Sequence, residues 1–300
     1  MKARTPILSA VIALAFASGA AAADLRPAYK APRPVPMYNW SGFYLGGFVG
    51  GGWTKSVTTN DPVVAGSNGV LPVGFPYDCP APGAPFFGAG CAATYGLKST
   101  VIAGGTIGYN WQAAGSPYVF GIEGEIGSMR LSGAGVDNFT AGLPCSTTGP
   151  FLLPPSQCNT FFNTKIGDWY GVASGRLGYA WDRVLVYAKV GAAFTRVEVS
   201  TVDNCSVAPC GAGLLNATGT KNVTGVAAGG GIEYALAGNW SIKGEYLYVG
   251  VDQTVQACGP QTNAAVPASF GATFCSSTEV HGVHTAKFGL NYRFGYGPAI

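Results

Sequence analysis

Charged side chains are scarce in this 300-residue chain. Only 10% of its residues are Asp, Glu, Lys or Arg, whereas soluble proteins carry roughly 25%. A soluble protein of this size covers its surface with charge, so the low fraction indicates an exterior that meets something other than water. The net charge of +3 is too small to indicate a nucleic-acid partner.

Long apolar runs are also lacking. Lys2 and Arg4 precede an apolar run over residues 7–16, which is too short to span a bilayer as a helix of about 20 residues. Together with the small residues before Asp24, this start is typical of a secretory signal peptide. We therefore expect residues 1–23 to be a signal peptide that is cleaved near Ala23 during export.

A Pro-rich stretch follows the expected cleavage point. Pro27, Pro32, Pro34 and Pro36 lie close together, and such spacing favours an extended, polyproline-like segment rather than a packed element. We expect residues 24–41 to form an N-terminal segment in the periplasm.

Beyond this segment the chain alternates between apolar and other residues in eight places. An alternation of period two indicates β-strands with one apolar face. Each segment has about the length of a tilted strand that crosses a bilayer. The segments are 42–54, 97–112, 117–129, 166–181, 184–199, 222–236, 240–252 and 281–294.

The connections between the segments alternate in length. Short turns at 113–116, 182–183 and 237–239 alternate with the long connections 55–96, 130–165, 200–221 and 253–280. This pattern is typical of a membrane barrel with short periplasmic turns and long loops outside. The short turns also agree on one register, since each joins two strands with their apolar faces on the same side.

The strands must close on themselves, because an open sheet edge in hydrocarbon would leave backbone polar groups unpaired. We therefore predict an all-β transmembrane protein of the bacterial outer membrane. The expected fold over residues 42–300 is an eight-stranded antiparallel up-and-down β-barrel with four long extracellular loops. The alternative is a soluble sandwich or lipocalin-like barrel with the apolar faces inside, which would carry more charge outside.

The faces opposite the apolar ones carry charged residues that should point into the lumen. An eight-stranded barrel is just wide enough to be filled by its own side chains. We expect these residues to form a salt-bridged plug; the alternative is a narrow charged pore. The expected lumen charges are Glu123, Glu125, Arg176, Lys189, Glu233, Lys243, Glu245, Lys287 and Arg293.

Two cross-strand pairs stand out in the expected register. Glu233 faces Lys243 across a hairpin, so exchanging the two residues together should be milder than changing either alone. Arg176 faces Lys189, and two like charges in that position repel each other. Negative charges must therefore lie close to them. We expect the glutamates of the third segment, residues 123 and 125, to supply these negative charges, and Glu245 is the next candidate.

The eight cysteines lie within the four long connections, two in each, and none in an expected strand. Export to an oxidising compartment favours disulfides, and we expect one within each loop. A metal site is the alternative, but the chain has no Cys-x-x-Cys and only two histidines, and these are the patterns that zinc sites use. The cysteines are Cys79 and Cys91, Cys145 and Cys158, Cys205 and Cys210, and Cys258 and Cys275.

The sequence contains no convincing catalytic motif. His281 and His284 lie near Ser276, Ser277 and Glu279, but their spacing fits no hydrolase motif. We expect neither an enzyme nor a bound cofactor or metal.

Two stretches resemble a known family. Residues 39–47 (NWSGFYLGG) and 287–294 (KFGLNYRF) resemble the alphaproteobacterial outer-membrane surface proteins of the porin/OmpA-like β-barrel class, and the likeness covers essentially the whole mature chain. It implies abundant, antigenic structural proteins, some described as porins or ligand-binding proteins. It also implies that the barrel-assembly machinery reads the aromatic end of the last strand, here Phe294, although residues 295–300 extend beyond it.

The sequence thus favours a structural outer-membrane protein that contributes to envelope integrity and exposes disulfide-bearing loops. A small porin and a surface receptor or adhesin for haem or a host ligand are the alternatives. The expected partners are outer-membrane lipid and lipopolysaccharide, the barrel-assembly machinery, and peptidoglycan or an extracellular ligand.

Overall fold

The computed structural model describes residues 38–64, 92–136, 160–204, 214–262 and 271–294. The expected signal peptide and most of the Pro-rich segment lie outside these residues, as do six of the eight cysteines. No helix in the described ranges is long and apolar enough to cross a membrane. The described strands are β1 (Gly42–Thr54), β2 (Val57–Val64), β3 (Ala92–Tyr95), β4 (Thr100–Gln112), β5 (Tyr118–Val136), β6 (Thr160–Trp181), β7 (Val184–Asn204), β8 (Leu214–Ala235), β9 (Trp240–Val249), β10 (Gln253–Pro260), β11 (Thr273–Val280) and β12 (Val283–Phe294).

Eight of these strands form a closed antiparallel ring. The order of pairing is β1, β4, β5, β6, β7, β8, β9, β12 and back to β1. The ring closes where Phe43 of β1 lies opposite Phe294 of β12. Each ring strand corresponds to one of the eight segments expected from the alternation, and the short turns lie together at one end of the ring.

The long connections contain more strand than the sequence predicted. β5 continues to Val136, β6 begins at Thr160, β7 continues to Asn204 and β8 begins at Leu214. The first and last long connections hold four further strands, β2, β3, β10 and β11. The expectation that these stretches are loops was wrong. Their residues also alternate, but here the apolar side chains point inward and the polar ones outward, the reverse of the predicted segments.

The additional strands build a second tier at the long-connection end of the ring. β8 pairs with β10 there, β10 with β11, β11 with β2, and β2 with β3. β3 then approaches β5, where the backbone N–H of Lys98 donates to the carbonyl of Ser132. A Cβ on Gly135 would lie 2.2 Å from the Tyr95 ring, so only glycine allows this approach. We call this tier, with residues 129–136, 160–168, 195–204 and 214–224 of β5 to β8, the distal extension.

The polarity of the sheet reverses where the distal extension begins. On β7, Val186, Val190 and Phe194 point outward and are exposed. Beyond Phe194 the outward positions become polar and charged, whereas the inward residues Val197 and Val199 are buried and apolar. The apolar belt from Val184 to Phe194 spans about 11 residues, or roughly 27 Å at a tilt of about 40°, close to the height of about 25 Å expected for a membrane barrel.

The outward faces exclude the soluble alternative. Phe288 is 76% exposed, Ile242 47% and Leu290 43%, whereas the charged residues on the opposite faces are buried. Aromatic side chains also follow the short-turn end: Tyr118 packs against Tyr179 and Trp240 against Tyr292. Such a girdle is typical of the water interface of a membrane barrel.

The inside of the distal extension is mainly an apolar core, in which a few buried hydroxyl groups, such as those of Thr59 and Thr278, hydrogen-bond one another. Met129, Leu131, Ile166, Val197 and Leu215 are all buried there. The expectation that inward faces are ionic along the whole strand therefore holds only within the apolar belt. The distal extension is built like a soluble barrel, with apolar residues inside and polar residues outside.

Candidate functional site in the barrel lumen

Nine charged side chains fill the interior at the level of the apolar belt. They lie on β5, β6, β7, β8, β9 and β12, at positions of the alternation that point into the ring. Each of the nine residues is at most 5% exposed. We call them the lumen cluster: Glu123, Glu125, Arg176, Lys189, Glu233, Lys243, Glu245, Lys287 and Arg293.

Lys189 lies at the centre of the cluster. Its Nζ donates to Oε1 of Glu123 at 2.7 Å, to Oε2 of Glu125 at 3.1 Å and to Oε1 of Glu245 at 2.9 Å. Carboxylate oxygens of the same three glutamates lie within 4.8 Å of one another, a spacing that could hold a metal ion. Because the ammonium group already takes the place of such a cation, the donor set does not fit a resident metal.

Arg176 lies opposite Lys189 in the register, and carboxylates separate the two positive charges. Its guanidinium donates to Oε2 of Glu233 at 3.0 Å and lies 3.5 Å from Oε2 of Glu123. The same group stacks over the Tyr187 ring, 3.8 Å from the centroid. Arg176 on β6 therefore links a carboxylate of the neighbouring strand β5 to one of β8, on the other side of its own strand.

Glu233 lies directly across from Lys243, but among the described residues its ion pairs within 4 Å are with Arg176 and Arg293. Lys243 instead donates to Glu123 at 3.3 Å. The predicted register is therefore confirmed, whereas the milder effect of exchanging the two residues together stays a prediction. In a narrow ring, long side chains also reach partners across the lumen, and neighbours on adjacent strands do not decide the pairing alone.

Three buried tyrosines complete the hydrogen bonding of the glutamates. Tyr44 donates to Glu123 at 2.7 Å, and two further tyrosines act in the same way. These three tyrosines were not among the predicted site residues, because an aromatic side chain on an alternating strand was assigned to the lipid face. The sequence did contain a signal for them, because each tyrosine occupies a position in the alternation that points inward. The other two bonds are Tyr170 to Glu125 at 2.6 Å and Tyr187 to Glu245 at 2.8 Å.

Trp40 closes the short-turn end of the lumen. It is fully buried, its backbone N–H donates to the Gln112 side chain at 2.7 Å, and its indole N–H donates to the carbonyl of Asp182 at 3.1 Å. The Arg293 guanidinium lies over its ring, 4.7 Å from the centroid, with Tyr38 alongside. The last residues of the expected periplasmic segment therefore pack into the barrel.

The apolar core closes the other end. Phe48, Ile102, Met129, Tyr170 and Val172 are buried directly beyond the lumen cluster and continue into the core of the distal extension. The Lys287 ammonium, which pairs with Glu125 and lies 2.8 Å from Glu245, also lies 5.0 Å from the Phe48 ring. The charges thus lie between two apolar seals.

The other predicted residues lie elsewhere. Ser276 is buried and hydrogen-bonds Thr201, while His284 pairs with Tyr246 on the outside, so the structure does not bring them together. Phe294 ends β12 and is 45% exposed.

Cys258 and Cys275 form a disulfide between opposed positions of β10 and β11. The expectation that no cysteine falls in a strand was therefore wrong for this pair. The disulfides expected at Cys79, Cys91, Cys145, Cys158, Cys205 and Cys210 lie outside the described residues.

A closed antiparallel ring with an apolar exterior and a charged interior defines a β-barrel of the outer-membrane class. The sequence matches the model of the outer membrane protein beta-barrel domain family over residues 9–294. The chain belongs to that family and is a protein of the bacterial outer membrane.

Two curated relatives share 28% identity with the chain over 301 residues, covering 96% of this chain and 99% of theirs. They are the 31 kDa outer-membrane immunogenic proteins of Brucella melitensis and Brucella suis. Among solved structures, OprG of Pseudomonas aeruginosa is 11% identical, with a TM-score of 0.44, covering 86% of this chain and 99% of its own. The protease OmpT of Escherichia coli is 10% identical, with a TM-score of 0.43, covering 84% and 97%.

Proposed function

We propose that this protein is a structural barrel that is closed to solutes and displays its distal extension on the cell surface. The observation that carries the proposal is the lumen cluster, which is buried and mutually paired between the Trp40 seal and the apolar core. The short turns then face the periplasm and the long connections face outward, as in other membrane barrels.

The pairing within the cluster argues against conduction. Each of its four glutamates has a cationic partner atom within 3.1 Å. A permeating ion would have to separate such pairs in a medium of low dielectric constant, where they are strong. An eight-stranded ring also leaves little space beyond its own side chains. The cluster is better suited to fixing the barrel shape than to passing solutes, so a small porin is the less favoured function.

Surface display rests on the distal extension. Its outward positions are polar, its interior is apolar, and the Cys258–Cys275 disulfide ties two of its strands. The curated relatives are named immunogenic proteins. We propose that this extension is the antigenic surface and contributes to envelope integrity. A receptor or adhesin role toward haem or a host ligand would also use it. No catalytic step forms part of the proposal.

Planar-bilayer recording of the purified full chain tests closure. We expect no stepwise conductance above that of empty bilayers. A matched pair of variants calibrates the assay. Replacing Glu123, Arg176, Lys189 and Glu245 with alanine removes four of the nine charges of the lumen cluster, whereas replacing the outward Val190 with alanine removes none. Conductance in the unaltered chain would establish a small porin instead. Assembly through Phe294 is a separate proposal, which Phe294→Ala tests by the yield of inserted protein.

A further inference from the structure

Three features on the outward face of β5, β6 and β7 lie one above another. An apolar trough lies at the level of the belt, a group of charged residues lies at its upper edge, and a polar groove lies on the wall of the distal extension. Together the three features could accommodate a single ligand that has an apolar, an anionic and a polar part.

The charged group lies just beyond the apolar belt. Arg130 Nε lies 3.1 Å from Asp168, Lys165 Nζ lies 2.6 Å from Asp168 and 3.1 Å from Glu198, and Arg196 Nε lies 3.2 Å from Glu198. We call these five residues the boundary cluster. Its three cations exceed its two anions by one charge, and the side chains of Arg130 and Arg196 are 67% and 47% exposed.

Hydrogen bonding within the boundary cluster favours the charged forms of Asp168 and Lys165. A hydrogen bond from Lys165 holds the pKa of Asp168 below its ordinary value. The hydrogen bonds to Asp168 and Glu198 raise the pKa of Lys165. The cluster therefore holds a fixed set of charges that further anionic groups can join at its exposed arginines.

The trough below the cluster is apolar and open toward the membrane. Its volume is about 540 Å³, and its floor holds Gly105, Gly124 and Gly171, with Ile126 and Phe194 among its walls. A Cβ on Gly171 would have no atom nearer than 3.7 Å, so glycine here leaves space rather than avoiding a clash. A space of this kind in the belt suits a hydrocarbon chain.

The groove above the cluster is lined by short polar side chains. Its volume is about 450 Å³, and Lys98, Lys165 and Glu198 also border it. Hydroxyl and amide groups on a sheet face offer both donors and acceptors, which suits a polyhydroxylated ligand. The short polar residues are Ser132, Asn163, Ser200, Thr218 and Thr220.

We propose that this face binds one phosphorylated glycolipid of the outer leaflet. Its acyl chain would lie in the trough, its phosphate against Arg130 and Arg196, and its sugars along the polar groove. Charge complementarity and the vertical order of the three features argue for this occupant, since an unphosphorylated lipid would not use the arginines. The inference rests on the proposed orientation, which places the distal extension outside.

The test measures lipid binding to the full chain in detergent by native mass spectrometry, with phosphorylated lipid A as the probe and its dephosphorylated form as comparison. The variant Arg130→Gln/Arg196→Gln should bind the phosphorylated probe about 5- to 30-fold more weakly, as removal of two interfacial charges implies. The control Lys55→Gln/Arg183→Gln removes two exposed positive charges elsewhere and should change binding less than about twofold.

Asp168→Asn gives a test of opposite sign. Asp168 has φ of 95°, in a region that asparagine tolerates well, so the fold should be kept. Removal of the carboxylate frees Arg130 and Lys165 for phosphate, and binding should tighten about 3- to 10-fold.

Equal weakening in both double variants, or equal binding of the two probes, would overturn the proposal. The orientation is checked separately with an epitope inserted after Thr262 and an antibody applied to intact cells. Failure of that label would refute the surface display, whereas loss of the phosphate preference alone would refute only the lipid site.

Discussion

Lys189 shows how a single residue organises the interior. Its ammonium lies among three glutamates from β5 and β9, so it neutralises charges that would otherwise repel one another in a medium of low dielectric constant. The parity of the strands predicted that these residues point inward. It did not predict which atoms meet, because partners across the lumen compete with neighbours on adjacent strands, as at Glu233 and Lys243.

Replacing Lys189 with methionine should therefore lower the free energy of unfolding by about 3–5 kcal/mol, because it leaves buried carboxylates without their shared partner. Urea unfolding of the reconstituted protein measures the change. The exposed Arg183→Met serves as the control and should have little effect. The double variant Lys189→Met/Glu245→Gln should recover part of the loss, and a single variant as stable as the control would contradict the assigned role.

At the scale of the strand, outward residues within the belt should tolerate no charge. Val190 on β7 lies near the middle of the apolar belt and is exposed toward lipid, so Val190→Arg should cost about 2–4 kcal/mol near the bilayer midplane. Thr218→Arg, on the polar wall of the distal extension, should cost less than about 1 kcal/mol. The fraction of chain folded into liposomes measures both, and equal folding of the two variants would contradict the placement of the belt.

The distal hairpin of β10 and β11 should depend on its disulfide. Replacing Cys258 and Cys275 with serine opens a crosslink between residues 17 apart in sequence, which should destabilise the hairpin by about 3 kcal/mol. Hydrogen exchange should then show faster exchange in Gln253–Pro260 and unchanged exchange in the belt half of β12. Unchanged exchange in the hairpin would mean that strand pairing alone holds it.

The strands also show where sequence reasoning succeeds. The strand ends at the short turns were predicted closely, as at the first residues of β7 (Val184) and β9 (Trp240). At these ends a few turn residues lie directly between two apolar strand residues, so the boundary is clear in the sequence. The distal ends were predicted too short. The expected segment over 184–199 passes the reversal of polarity beyond Phe194 but ends five residues before β7 does, at Asn204.

At the scale of the whole molecule, the chain combines two tiers of opposite polarity on shared strands. Within the belt the exterior is apolar and the interior ionic, whereas in the distal extension the exterior is polar and the interior apolar. The class of fold and its membrane location follow from the sequence. The second tier and the Trp40 seal do not, since they depend on contacts between residues far apart in the chain.

The position of the polarity reversal relative to lipid tests this account most directly. A benzophenone amino acid placed at Val190 or at Ser200, both on the outer face of β7, would be photolysed in vesicles that contain phospholipid with radiolabelled acyl chains. We predict strong labelling from position 190 and little from position 200. Equal labelling at both positions, or labelling mainly from position 200, would contradict the account.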